Sequence, residues 1–410
     1  MNPPDHAAPA GPAPTPGFGA TVGVLALGQI LSWAVLFYGF SSLVLPMDQG
    51  LHWGQGTLMG AFTLGLAVCG VATYAVGAAI DAGHGRAVMV WGSVAGGLGV
   101  MAWSQVTQPW HFYAVWVVLG ASSAATLYEP AFAVLTKRYP TRYREGITTL
   151  TLVAGFASTI SFPAVAALFR WGMDWRQVLM VLGGVVLAVA PMHSWALRGP
   201  MLVAGPAHDD PEADTTLHEA LRHASFWLLT LCFTLYAFTQ TALWAHVMPA
   251  FAEKQVSTAD GLIVLMAVGP AQVAGRLVYV ALGRAWPLRT LGAVVLTALP
   301  VSMVLFAAGQ SLAALLVFAV VFGMANGLVT IVRGALVPAY FGRSHVGRIG
   351  GLMSGVGQIA RASAPVAATA LLVLVPGYRA LLLLLAGLGV LAVLAFWRAG
   401  PPGRAEQTPP

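Results

Sequence analysis

Residues 19–45 read GATVGVLALGQILSWAVLFYGFSSLVL, 27 residues without a single Asp, Glu, Lys or Arg. At 1.5 Å per residue such a run coils into a helix about 40 Å long, more than the roughly 30 Å of a bilayer's hydrocarbon core. It is too long and too evenly apolar to be one face of a water-soluble helix, so its solvent is lipid. The rest of the chain follows the same plan. Breaks at charged or Gly/Pro-rich points leave further apolar stretches near 56–80, 86–106, 111–136, 147–169 and 177–197, then 225–250, 260–283, 288–308, 311–338, 349–375 and 379–398. With 58% hydrophobic and 8% charged residues, a soluble domain of 410 residues would lack the charge to cover its own surface. The expected fold is an all-α membrane protein of twelve transmembrane helices.

An even number of spans puts both termini on one side. Placing them in the cytoplasm puts thirteen Lys or Arg inside and only Arg170, Arg176, Lys254 and Arg379 outside, while Arg276, Arg333 and Arg361 fall within spans. That is the positive-inside bias. It also explains the net charge of +6, because the bases are spread over loops and form no stripe for nucleic acid. Residues 1–18 are Pro- and Ala-rich, lack the basic start of a secretory signal and read as a disordered cytoplasmic tail, with a second tail at 400–410. The longest polar segment, 198–224, carries Asp209, Asp210, Glu212 and Asp214 and a short amphipathic piece, and reads as a linker between an N-terminal half, 19–197, and a C-terminal half, 225–399. His208, His218 and His223 in it read as exposed linker residues and not as a metal cluster. Cys69 and Cys232 lie inside apolar stretches and read as packing residues, so neither a disulfide, a metal nor a cofactor is expected. The 18 Arg against 2 Lys in an Ala-, Gly- and Val-rich chain suggest a GC-rich bacterial source, hence an inner membrane.

Sliding the chain on itself by about 203 residues aligns Leu45-Pro46 with Met248-Pro249, Gly120 with Gly323, and Arg144 and Gly146 with Arg348 and Gly350. Gly155, Ser161 and Pro163 meet Gly357, Ser363 and Pro365, and Trp175-Arg176 meets Tyr378-Arg379. Matches in this order at a nearly constant shift argue for two six-helix halves in parallel orientation, with a substrate site between them. Between the second and third stretches stands Gly77-Ala-Ala-Ile-Asp81-Ala-Gly-His-Gly85-Arg86. Here the chain resembles the major facilitator superfamily, whose corresponding loop has a Gly, an Asp followed by a basic residue, and a further Gly followed by bases. Ala82 replaces the first basic residue, and one extra residue precedes Gly85-Arg86. The resemblance implies a monomeric secondary transporter working by alternating access, with its first, fourth, seventh and tenth helices around a central cavity and Asp81 and Arg86 at a gate. Physically, Asp81 can cap the N-terminus of a helix from the other half; as an alternative it is a solvated loop carboxylate.

A charge inside a span costs roughly 2.5–3.5 kcal/mol on insertion scales, so each one asks for a reason. Glu129 is the only acid well inside a span, and the repeat places it in register with Arg333. The two read as a gate pair; the alternatives are a pairing of Glu129 with Arg86 in its own half and an Arg333 that reaches to the interface. Arg361, 13 residues past Arg348 and so roughly 20 Å along its helix, has no acid expected at its depth. It reads as a substrate-carboxylate anchor beside Gln358, or as a structural Arg bonded to helix carbonyls or Glu129. Arg276, behind Gly275, reads as a residue that stabilises one state.

Gln29, Trp33 and Tyr38, with Gln240, Trp244, Asn326 and Thr330, supply polar and aromatic groups for a small-molecule site; each can equally be a helix–helix contact. No P-loop is present to bind ATP, so transport is driven by a gradient or by a separate subunit; if protons are coupled in symport, Glu129 is the leading carrier, whereas facilitated diffusion or anion exchange needs none. The expected function is transport of a small organic anion such as a carboxylate. Export of amphipathic compounds is the alternative within transporters, and a non-transporting receptor or scaffold the alternative outside them. An enzyme would need paired acids or a nucleophile–base set, which these spans do not contain.

Overall fold

The computed structural model describes residues 15–201, 215–283 and 286–400. Most of the two expected tails, the acidic part of the linker with His208, and Arg284 lie outside the described residues. Among the described residues, eleven helical runs are long and apolar enough to cross a membrane. One of these, Gly56–Trp103, is 48 residues long and turns back at Gly83, whose φ of 90° suits glycine alone. It therefore makes two crossings, and the total is twelve: α1 Phe18–Leu51, α2 Gln55–Ala79, α3 Gly85–Trp103, α4 Pro109–Arg138, α5 Tyr143–Arg170 and α6 Trp175–Ala196. The second six are α7 Ala224–Glu253, α8 Thr258–Val278, α9 Leu288–Ala308, α10 Leu312–Phe341, α11 Val346–Leu374 and α12 Gly377–Arg398. α1 runs six residues past its expected end, through Pro46, with a wider π-helical turn at Ala34–Tyr38. The Ser161 hydroxyl on α5 donates to the Ala34 carbonyl at that turn, 2.6 Å away.

The packing repeats itself. In the first half α1 lies on α5 and α6, α2 on α4, and α3 on α4 and α6; in the second half α7 lies on α11 and α12, α8 on α10, and α9 on α10 and α12. Each pair in one bundle has its counterpart six helices later, which is the pseudo-twofold relation of two six-helix bundles. Aromatic side chains fill both interiors: Phe40, Trp103, Phe112 and Trp116 in the first, Phe251, Phe306, Phe318 and Phe322 in the second. With lipid outside, this close packing holds the bundles together more than any hydrophobic driving force. Ahead of α7 a short helix, Leu217–Arg222, is capped by Thr216 and Glu219 in a reciprocal capping box. It rests on the bases of α7 and α11 with Ala220 buried.

The bundles meet along α2 and α11, flanked by α4 and α5 against α8, α10 and α11. Along its glycines the α2–α11 seam brings backbone against backbone. A β-carbon added at Gly355 would sit 2.6 Å from the Gly70 carbonyl, and one at Gly351 2.6 Å from that of Thr73; Gly77 and Gly347 abut in the same way. These approaches fall in the last part of α2 and the first part of α11, toward the face where α1 begins and α12 ends, here termed the terminal face. The bundles are zipped there. At the opposite face the ends of α1 and α7 form no packed pair among the described residues.

Candidate functional site

The seam is fastened at the terminal face by Asp81. Its carboxylate accepts from the backbone N–H of Gly347 at 3.0 Å and of Arg348 at 2.8 Å, capping the N-terminus of α11 from the other bundle. Four free N–H groups and the positive end of the helix dipole make that a favourable place for a carboxylate. Lys137, from the end of α4, is buried with it: its ammonium lies 3.5 Å from Asp81 Oδ1 and donates to the Ser344 carbonyl at 2.9 Å. In the sequence Lys137 is one of the thirteen bases on this side. Its spacing from Glu129, eight residues along α4, places both on one face of the helix and is the signal that could have singled it out. Arg86 does not join them. It donates to Ser194 Oγ on α6 at 2.9 Å, within its own bundle, and among the described residues the expected place of Arg86 in the gate has no ion pair across the seam.

Above Asp81, α4 is broken. Leu127 is extended, with ψ of −154°, and the helix restarts at Tyr128. Pro130 has no N–H to give the Thr126 carbonyl four residues back. Gln29 supplies the missing donor: its side-chain amide reaches the carbonyls of Thr126 at 2.6 Å and Leu127 at 3.2 Å. Gln29 is fully buried in this task, which corrects its expected place on the cavity wall.

The break positions Glu129, which forms an ion pair with Arg333 of α10 across the two bundles. Both side chains remain about a quarter exposed, at 28% and 25%. They line a cavity together with Arg361, Gln358 and Ser354, walled by Phe233, Ala237, Val337 and Met353. Arg361 donates to Gln358 Oε1 at 2.9 Å, and Gln358 in turn lies 3.8 Å from Cys69 Sγ of α2. Glu129 and Arg333 are within electrostatic reach of Arg361. The helix counts put Arg361 in a layer of its own near mid-membrane, but the structure brings it into one cavity with the pair. The six-residue difference in their distance from the helix ends is about 9 Å of axial offset, which helix tilt and a long side chain close. A second, narrow space, also bordered by Glu129, runs down between α2, α4, α10 and α11 toward Gly347.

Around this centre the other expected site residues divide. Trp33, Phe37, Tyr38 and Tyr128 form a connected aromatic group, with Trp33 5.0 Å from Tyr128 and 6.4 Å from Tyr38. In the second bundle Gln240 donates to Asn326, Trp244 stands edge-on to Phe322 and is 39% exposed, and Thr330 bonds the carbonyl of Gly327 in its own helix. Arg276 is buried. Its Nε donates to the Gly327 carbonyl at 2.9 Å, and its guanidinium lies over Gly155 of α5, where any side chain would collide with it. It therefore ties α8 to α10 and reaches the facing bundle through a glycine.

Comparison with known proteins agrees with this architecture. The chain superposes on the human organic anion transporter TETRAN with a TM-score of 0.72 at 16% identity, covering 93% of this chain and 100% of that one. It superposes on the Escherichia coli fucose:proton symporter FucP with a TM-score of 0.73 at 14% identity, covering 94% and 100%. A structure of FucP in the outward conformation gives 0.73 at 13%, covering 93% and 99%. At these identities the likeness is one of fold. No curated protein matches the chain significantly in sequence. The sequence model of the Major Facilitator Superfamily, however, matches residues 25–299. With two thirds of its length matched and twelve helices in two related bundles, the chain belongs to the major facilitator superfamily and is a multi-pass membrane transporter.

Proposed function

We propose that this protein carries small organic anions by alternating access, with Arg361 as the group that binds the substrate carboxylate. The observation that carries the reading is the unequal charge of the cavity: two guanidiniums, Arg333 and Arg361, stand against one carboxylate, Glu129. Gln358 orients Arg361, and in this reading the aromatic group of Trp33, Tyr38 and Tyr128 and the Gln240–Asn326 pair supply further substrate contacts. Glu129–Arg333 and Asp81–α11 act as gate contacts of the state zipped at the terminal face, and Arg276 supports them from α8. The distribution of basic residues supports a cytoplasmic terminal face, and the Arg-, Ala- and Gly-rich composition a bacterial inner membrane, so in this reading the described state opens outward. In this reading the protein works as a monomer, with the segment 198–224 joining the halves 19–197 and 225–399. Glu129 is engaged by Arg333, so the anion gradient supplies the drive; proton symport requires Glu129 to release Arg333.

The deciding measurement is a thermal-stability screen of the purified protein against organic acids and against amphipathic drugs, since a specific ligand raises the apparent stability by mass action. A carboxylate raises Tm in the wild type, and the rise is lost in Arg361→Gln and reduced in Arg361→Lys, which cannot offer a two-pronged contact. Stabilisation by neutral or cationic amphiphiles alone would overturn the reading in favour of export of such compounds. A transport rate that follows an imposed pH gradient would restore the coupling role of Glu129.

A further inference from the structure

The charge inequality bears on the transport cycle as well as on the ligand. Among the described residues no carboxylate lies within 4.0 Å of Arg361. Among the described residues Glu129 is the sole acid on the cavity wall, so whichever guanidinium it pairs with, one is left over. In the described state Arg361 keeps part of its surface open. Reorientation has to close the opposite face over it, and an unpaired guanidinium shut off from water in a membrane interior is strongly disfavoured. A bound monovalent anion removes that obstacle by making the cavity neutral. A dianion would replace an excess of one positive charge with an excess of one negative charge against the apolar side chains of Phe233, Ala237, Val337 and Met353.

From this geometry we infer that the carrier is an exchanger: it swaps one monovalent organic anion for another, one for one and without net charge movement, and does not return empty at a useful rate. The inference rests on the anion-binding role of Arg361 proposed above. A penalty the size of a lone Arg at a helix centre slows the empty return by about seventy- to four-hundredfold relative to the loaded one.

The test uses the intact protein in proteoliposomes. A panel of propionate, butyrate, lactate and benzoate, with malonate and succinate as dianions, is first ranked by thermal stabilisation. The best monocarboxylate, carbon-14 labelled, is loaded inside, and efflux is measured into potassium sulfate with and without the same unlabelled monocarboxylate. The expected result is efflux at least fiftyfold faster when the external monocarboxylate is present, at a rate unchanged by a valinomycin-clamped potassium potential. Efflux into sulfate alone at the exchange rate overturns the inference and leaves anion transport standing, whereas failure of every acid in the panel to stabilise the protein removes the anion reading itself. Gln358→Glu gives an independent check. It keeps an acceptor for Arg361 but neutralises the empty cavity, so it should weaken binding while bringing the ratio of exchange to net efflux down toward one. An unchanged ratio in that variant would also overturn the inference, because a loss of folding alone would lower both rates together.

Discussion

Replacing Asp81 by Asn tests how the zipped state is held. The carboxylate accepts two backbone N–H groups of α11 and sits beside the buried ammonium of Lys137. Hydrogen bonds to a charged group contribute about 1.5–3 kcal/mol each. Asn keeps one acceptor oxygen but turns an N–H toward the donors of the helix end, so at least one such bond is lost. Lys137 also loses its counter-charge while still buried, a change that costs about 3–5 kcal/mol in comparable pairs. Taking the low end of these overlapping terms, the zipped state loses about 3 kcal/mol. The opposite state loses little, because Asp81 and Lys137 lie near the terminal face and meet water once the bundles part. The equilibrium should therefore move toward the terminal-open state by somewhat more than a hundredfold. Cys69 reports on it, since its thiol is buried in the α2–α11 seam against Gln358. In a Cys232→Ser background, the rate of Cys69 alkylation by a membrane-permeant maleimide should rise about a hundredfold in Asp81→Asn. An alkylation rate within twofold of the parent, at unchanged Tm, would refute the view that this contact holds the seam.

Three further outcomes follow from individual contacts. Gln29→Leu leaves the Thr126 carbonyl without a donor and should lower stability by about 1–3 kcal/mol, seen as a drop in Tm with no change in ligand specificity. Exchanging the charges as Glu129→Arg with Arg333→Glu should restore part of the transport that either single change abolishes; no recovery in the double variant would argue against the pair as a gate contact. Thr216 holds the Glu219 carboxyl below its usual range by donating its backbone N–H and its hydroxyl. A depressed folded-state pKa means the cap is intact above the ordinary Glu range and is lost as pH falls through the lowered value. Amide exchange in Leu217–Arg222, corrected for its intrinsic pH dependence, should therefore rise only under acid conditions, and Glu219→Gln should remove that rise.

The membrane fold was legible because lipid demands something simple of a sequence, a long run of apolar residues, and the repeat then set which halves correspond. The same register put Glu129 and Arg333 opposite each other, since the pseudo-twofold relation carries one helix onto the other. What could not be read was where a polar side chain would find its partner. Gln29 looked like a cavity residue because nothing in its own helix explains it; its reason is a carbonyl orphaned by Pro130, 101 positions later in the chain. Lys137 was hidden in a tally of loop charges, and Arg86 looked like a gate residue from its motif although its partner is Ser194. Arg361 was assigned a depth by counting along a straight helix, a method blind to tilt and to side-chain reach.

The glycine seam suggests a division of labour in the moving parts. A contact made of backbone against backbone immobilises no rotamers when it forms and strands no bulky apolar groups when it parts. Gly70, Thr73 and Gly77 against Gly355, Gly351 and Gly347 thus behave as a bearing, smooth and cheap to slide. Such a surface guides motion without choosing its direction. The choice falls to the few charged groups at its edge, so a handful of substitutions there can retune which way the carrier rests while the machinery that moves it stays the same.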